Sequence, residues 1–187
     1  MPTFYDRSRR SIRLKGFDYS TDGAYFLTIC VRNRECLLGE IQNGQVILNN
    51  YGEIIKNIWE GLPKQVLDID LDEYVIMPNH FHAIVVINKS VDTATVYEEL
   101  DVNEARDRRK ILLPKVVGRF KMLAAKAINQ SREIEGSFWQ RNYHENVIRS
   151  EEDLQRVREY IVNNPMQWEM DEHHPDHESN HCSRGNS

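Results

Sequence analysis

Two histidines separated by one residue form the most chemically suggestive feature of this sequence. His80, Phe81 and His82 open an apolar run whose composition is typical of a β-strand. Because alternate side chains of a strand point to the same face, both imidazoles project to one side and Phe81 to the other. Two neighbouring imidazoles can chelate a divalent metal ion. The residues alone leave open the alternative of two partly buried histidines that bind nothing.

A tyrosine near the end of the last predicted helix is the second candidate functional side chain. Tyr160 lies at the edge of the apolar stripe that Leu154, Val157 and Ile161 form at helical spacing. Asn164 follows four residues later, on the same side of the helix. A phenol at such an edge can reach a cleft. From these residues alone, an amphipathic tyrosine at a domain margin and a capping asparagine are the simpler interpretation.

Other side chains compete for these roles. Tyr143 and His144 are adjacent in the segment QRNYHENVIR and offer a second tyrosine and a further ligand. The polar C-terminal tail holds five more potential metal ligands: His173, His174, His177, His181 and Cys182. Because a polar tail is expected to be flexible, we interpret metal binding there as adventitious.

The strands that must hold the histidines are predicted from residue type. β-branched and aromatic residues indicate strands over 24–32, 70–77 and 80–87, and the last two are separated by a Pro-Asn turn. The Asn-Gly dipeptide at 43–44, between two short apolar runs, predicts a hairpin with a type I′ turn.

Helical periodicity predicts the remaining elements. Apolar residues at helical spacing indicate helices over 51–62, 113–129 and 153–163, and Ser150 is the expected N-cap of the last. Helices interspersed with antiparallel strands predict an α+β fold, with helices packed on one or both faces of one sheet.

The chain length fits one folded domain with polar extensions. For 187 residues we expect a basic arm over 1–20, a single domain over 21–170 with a mobile loop at 89–112, and a polar His-rich tail over 171–187. Three cysteines with no C-x-x-C pair give no support to a disulfide framework or a cysteine zinc site. The charged start and the lack of a long apolar run predict a cytoplasmic protein without a membrane span.

Positive charge is clustered, although the formal net charge is −5. Because phosphate contacts are local, such clusters can bind a polyanion on an acidic protein, and solvated faces are the alternative. Three of the cations share one face of the second predicted helix, and we call Lys115, Arg119 and Lys126 the basic ridge. The other clustered cations that we consider as candidates for DNA contact are Arg7, Arg9, Arg10, Arg106, Arg108, Arg109 and Lys110.

Several segments together resemble one protein family. The run YVIMPNHFHAIVVI is similar to the strand-borne motif of the single-tyrosine HUH transposases, in which two histidines flank a hydrophobic residue. The stretch FWQRNYHENVIRSEEDLQRVREYIVNNP is similar to the C-terminal signature of that family, and closest to the REP-associated tyrosine transposases. GAYFLTICVRNR resembles the first strand of the family. The resemblance extends over roughly residues 13–168.

The resemblance implies a fold, a site and a substrate. It implies a ferredoxin-like (RRM-like) antiparallel sheet, His80 and His82 as ligands of Mg²⁺ or Mn²⁺, Tyr160 as the nucleophile and Asn164 at the position of a third ligand. It also implies cleavage and transfer of single-stranded DNA beside a hairpin through a 5′-phosphotyrosine, with the clustered cations contacting DNA. Such a protein would be bacterial, associated with the nucleoid when on DNA, and a monomer or a homodimer.

Two other functions remain compatible with the sequence. The first is a hairpin-binding protein that has the same fold and no catalysis. The second is a metal-dependent hydrolase that uses water, in which Tyr160 is only structural.

Overall fold

An antiparallel sheet with helices on both faces is the frame of the protein. The computed structural model describes residues 23–88, 112–132, 136–171 and 173–175. The strands in these ranges are β1 Gly23–Cys30, β2 Gly39–Gln42, β3 Gln45–Leu48, β4 Ile69–Ile76, β5 His80–Ile87 and β6 His144–Ile148. The α-helices are α1 Asn50–Glu60, α2 Leu112–Arg132 and α3 Glu151–Asn163, and a 3-10 segment, Asn164–Met170, follows α3.

Some predictions concern residues outside these ranges. The basic arm, the cations at 106–110, nearly all of the loop predicted at 89–112 and the tail from 176 onward lie outside the described residues. Among the described helices, none combines the length and the apolar character that crossing a membrane requires.

The sheet has the strand order β4-β5-β1-β6, and all neighbouring strands are antiparallel. The elements of the sheet and its helices follow one another as β1, α1, β4, β5, α2 and β6, with the β2–β3 hairpin inserted before α1. This β-α-β-β-α-β order is the ferredoxin-like arrangement. The predicted α+β fold class is confirmed.

The core lies on the sheet face that carries Phe81. Its ring centroid is 4.8 Å from that of Trp59 in α1 and 5.2 Å from that of Phe120 in α2. All three rings are fully buried, so α1 and α2 cover this face. His80 and His82 flank Phe81 in β5 and therefore project from the opposite face.

Local signals in the sequence account for the hairpin. Asn43 and Gly44 have φ angles of 51° and 73°, as a type I′ turn requires at its two central positions. The turn pairs β2 with β3 in the register that runs from Gln42 opposite Gln45 to Gly39 opposite Leu48.

The start of α3 and its attachment to the sheet are fixed by polar contacts. Ser150 accepts a hydrogen bond from the backbone N–H of Asp153 at 3.1 Å, which is the expected N-cap. The Arg158 guanidinium donates to both carboxylate oxygens of Asp72, at 2.9 and 2.6 Å, where β4 changes register against β5. The Arg158 side chain lowers the pKa of the Asp72 carboxyl. This contact fixes α3 against β4.

Candidate active site

The orientation of the His80 ring is set by Asn79. The Asn79 amide nitrogen donates to the backbone carbonyls of His173 at 2.7 Å and Arg34 at 3.1 Å. Its amide oxygen therefore faces Nδ1 of His80, at 2.8 Å. Since an amide oxygen can only accept, Nδ1 of His80 carries the proton and Nε2 carries a lone pair.

The lone pair of His80 faces a carboxylate. Nε2 of His80 is buried and has no hydrogen-bond partner among the described residues. It lies 3.9 Å from Oδ2 of Asp171, which is also an acceptor. Two buried acceptors that face each other are favourable only when a proton or a metal ion lies between them. Ligands about 2.1 Å from a shared ion lie about 3–4 Å apart, so this separation suits a bound cation.

His82 completes a group of three ligands. One ligand atom from each of His80, His82 and Asp171 lies within 4.8 Å of the other two, and all three side chains are buried. Nδ1 of His82 lies 2.9 Å from the Thr28 hydroxyl, which directs Nε2 toward the site. The His82 ring also stacks on Phe26, with centroids 5.2 Å apart. The donor set is suited to a divalent ion.

Tyr160 reaches this group from α3, as its position at the stripe edge predicts. Its hydroxyl lies 3.3 Å from Nε2 of His82, and its ring meets Phe26 edge-on at 5.8 Å. The side chain is 41% exposed, so the phenol adjoins both the buried group and solvent. The structure therefore brings together a phenol and two imidazoles whose residues are about 80 positions apart in the chain.

Asn164 is buried at the end of α3 and contacts the third member of the group. Its amide nitrogen donates to Oδ2 of Asp171 at 3.2 Å. Its amide oxygen is buried without a hydrogen-bond partner among the described residues. That oxygen is available as a ligand, and the role of Asn164 as a metal ligand stays a prediction.

Asp171 is a site residue that sequence analysis missed, and His173, which it interpreted as an adventitious ligand in a flexible tail, also lies at the site. Both fall in the predicted polar tail, but both are buried. The backbone N–H of His173 donates to Oδ1 of Asp171 at 2.7 Å, and the His173 ring lies 4.6 Å from that of His80 between centroids. The ring of Trp168 lies 6.0 Å from that of His80 between centroids. This large apolar residue after α3 was the feature of the sequence that could have indicated continued packing there.

The competing side chains lie elsewhere. Tyr143 packs against the hydrophobic core, on the sheet face opposite to His82. His144 pairs with Thr28 in the sheet and so lies on the same face as His82, but it is exposed. The structure therefore does not bring Tyr143 to the histidine pair.

The basic ridge lies on the far side of the sheet. Lys115, Arg119 and Lys126 are exposed on α2, which covers the face opposite to the histidines. Arg119 donates to Oε1 of Gln65 through two nitrogens, at 2.9 and 3.2 Å. The ridge therefore does not line the site.

Burial keeps both imidazoles in the neutral form that binds metals. Desolvation lowers the pKa of His80 well below its usual 6.5, and the neighbouring His82 and His173 lower it further. Desolvation lowers the pKa of His82 to about 3. At neutral pH each ring therefore offers a lone pair.

These shifts predict that the metal-free protein loses stability in acid. Because the folded histidines have depressed pKa values, the unfolded chain binds more protons below about pH 6.5. Stability is therefore full above pH 6.5 and falls as the pH drops toward 3. The free energy of unfolding, measured with urea in EDTA, should be lower at pH 5.5 than at pH 7.5 by about 3 kcal/mol for the two rings together.

Two variants separate the contribution of the buried rings. His82→Ala should remove about half of this difference, and His144→Ala, at an exposed position on the same sheet face, should leave it unchanged. Equal pH dependence in wild type and His82→Ala would show that the acid sensitivity comes from other groups.

Comparisons with known proteins agree with the architecture. No protein-family model matches the chain. An uncharacterized protein of Haemophilus influenzae is 40% identical over 166 residues, which cover 88% of this chain and 92% of that protein. The solved structure of a REP-associated tyrosine transposase bound to a REP hairpin aligns with a TM-score of 0.50 at 18% identity, over 84% of this chain and 73% of that chain. At this identity the structural likeness shows a shared fold.

Proposed function

We propose that this chain, which belongs to the same family as the Haemophilus influenzae protein, is a metal-dependent endonuclease and strand transferase of single-stranded DNA, a transposase of the single-tyrosine HUH type. The observation that carries the proposal is the 3.3 Å contact between the Tyr160 hydroxyl and Nε2 of His82, beside the buried lone pair of His80. The fold shared with a tyrosine transposase supports it.

The residues present would suit a divalent ion. His80 and His82 would hold Mg²⁺ or Mn²⁺ through their Nε2 atoms, with Asp171 or Asn164 as a further oxygen ligand, and imidazole ligands favour Mn²⁺. A bound ion would neutralise the charge on the non-bridging oxygens of the scissile phosphate. The Asn79 oxygen at Nδ1 of His80 and the Thr28 hydroxyl at Nδ1 of His82 hold the imidazoles in fixed directions.

Tyr160 would supply the nucleophile. Nε2 of His82 has one lone pair, so it cannot bind a metal and also accept the Tyr160 proton. When a metal ion is bound to Nε2 of His82, the Tyr160 hydroxyl therefore no longer has its hydrogen bond to that atom. Its oxygen attacks phosphorus and its proton passes to solvent, the bond from phosphorus to the 3′ oxygen breaks, and that oxygen takes up a proton from solvent to leave as a 3′-hydroxyl. The product is a 5′-phosphotyrosine, which a second 3′-hydroxyl can resolve by the reverse reaction.

Gel electrophoresis under denaturing conditions distinguishes this function from the alternatives. Wild-type protein is incubated with a labelled hairpin oligonucleotide that carries a single-stranded flank, in Mn²⁺ and in EDTA. We expect a covalent protein–DNA band in the incubation with Mn²⁺ and none in the incubation with EDTA. Free cleaved DNA without that band would indicate a hydrolase that uses water. Retarded DNA on a native gel with neither product would indicate a binding protein without catalysis.

The basic ridge would contact the hairpin duplex and not the reacting strand, because it lies on the sheet face opposite to Tyr160. Changing Lys115, Arg119 and Lys126 together to glutamine should flatten the slope of log affinity against log salt by roughly 2–3, at about 0.7–0.9 per phosphate contact. The cleavage rate at saturating DNA should stay the same.

Fluorescence anisotropy at several salt concentrations measures the slope. Lys64→Gln, at an exposed lysine outside the ridge, controls for the loss of positive charge and should leave the slope unchanged. If the triple variant kept the wild-type slope, the residues that contact the DNA phosphates would lie elsewhere on the protein.

A further inference from the structure

Asn79 joins three separate parts of the chain and is completely buried. Its oxygen contacts the neighbouring His80 ring at 2.8 Å. Its nitrogen donates to the carbonyl of Arg34, in the turn after β1, and to the carbonyl of His173, 94 residues away in sequence. A buried amide with all of these contacts is fixed in one orientation, because a flip would place its oxygen against two carbonyls.

The fixed amide has two consequences at the histidine pair. It holds the proton of His80 on Nδ1 and so keeps Nε2 available as a ligand. It also fastens the backbone of His173, whose N–H binds Oδ1 of Asp171 at 2.7 Å. The second carboxylate oxygen of Asp171 then faces Nε2 of His80 at 3.9 Å. One side chain thus orients a ligand and, through His173, the carboxylate opposite that ligand.

We propose that Asn79 is a positioning residue that assembles the metal centre by holding His80 in its ligand tautomer and by fastening the chain at His173, so that Asp171 becomes the third ligand. The inference rests on the proposed function, because it requires that the site binds a divalent ion. It makes the chain that follows α3 part of the centre, and it assigns the oxygen ligand to Asp171.

Thr28 provides a matched comparison. Its hydroxyl contacts Nδ1 of His82 at 2.9 Å, as the Asn79 oxygen contacts Nδ1 of His80. Asn79→Ala and Thr28→Val each remove the partner of one ligand histidine, but only Asn79 also holds His173. If Asn79 acts through Asp171, its removal and the loss of the carboxylate must be coupled, whereas Thr28 and Asp171 must act independently.

The test is a set of Mn²⁺ dissociation constants, measured by titration of the full chain without DNA. Asp171→Asn and Asn79→Ala should each weaken binding by about 10- to 100-fold. In the double variant the two effects should overlap: its binding of Mn²⁺ should be weaker than that of Asp171→Asn by no more than the factor that Thr28→Val alone costs, which is the share of Asn79 that acts on the His80 tautomer. Combining Thr28→Val with Asp171→Asn should instead multiply the two single effects. Multiplicative effects in the Asn79 pair would overturn the inference and leave the metal site intact.

Hydrogen exchange on the wild-type chain gives a second readout. It does not require that a variant with a substitution at a buried position folds. Binding of Mn²⁺ should slow exchange of the backbone N–H groups of His173 and His174, because the ion fastens Asp171. Unchanged exchange in a chain that binds Mn²⁺ would overturn the role of Asp171 and of Asn79. A wild-type chain that binds no Mn²⁺ would contradict the metal centre itself, and with it the proposed function.

Discussion

Tyr160→Phe abolishes the covalent protein–DNA band and strand rejoining, with a loss of at least about 10³-fold in cleavage, if the phenol is the nucleophile. The substitution deletes one hydroxyl and keeps the ring that meets Phe26 edge-on. The hydroxyl lies 3.3 Å from Nε2 of His82, which is a long contact, and the side chain is 41% exposed. Folding stability should therefore change by less than about 1 kcal/mol, and hairpin affinity should stay within a few-fold.

Tyr143→Phe is the matched control, because it makes the same chemical change at a tyrosine that packs against the core on the other face of the sheet. Cleavage and adduct formation should persist in this variant. If Tyr160→Phe kept activity and Tyr143→Phe lost it, the nucleophile would be Tyr143. Gel quantification with both variants at equal concentration decides between the two tyrosines.

His80→Ala and His82→Ala should each remove Mn²⁺-dependent cleavage, again by about 10³-fold or more, and leave hairpin affinity within a few-fold. The reason is that each variant deletes one of the two adjacent nitrogen atoms that we propose as metal ligands, whereas we expect DNA affinity to depend mainly on basic residues outside the site. His144→Ala is the control, since His144 lies exposed on the same sheet face and outside the ligand group. Cleavage in EDTA equal to cleavage in Mn²⁺ would show that the histidines do not act through a metal.

Much of the site could be predicted from local periodicity. The alternation of β5 places His80 and His82 on one face and Phe81 in the core. The N-cap at Ser150 and the apolar spacing of α3 place Tyr160 at the edge of its helix, where its hydroxyl reaches His82 at 3.3 Å. The two placements depend on residues a few positions apart, so the sequence pattern contains them, whereas the contact between Tyr160 and His82 comes from the fold.

The remainder depends on contacts between distant residues. Asp171 and His173 follow a 3-10 segment without helical or strand periodicity, and the hydrogen bond that holds them comes from Asn79, 94 residues before His173. Helical spacing places Lys115, Arg119 and Lys126 on one face of their helix but could not indicate which face of the sheet α2 covers. Turn chemistry predicted Asn79 only as a turn residue.

Peptide mass spectrometry of the covalent product tests the central claim most directly. The adduct formed in Mn²⁺ with a hairpin oligonucleotide is digested with protease and nuclease, and the modified residue is located by fragmentation. We predict a nucleotide joined through its 5′-phosphate to Tyr160, and transfer of a 3′ label, but not a 5′ label, into the protein band. Attachment at Tyr143, or transfer of the 5′ label, would contradict this account of the site.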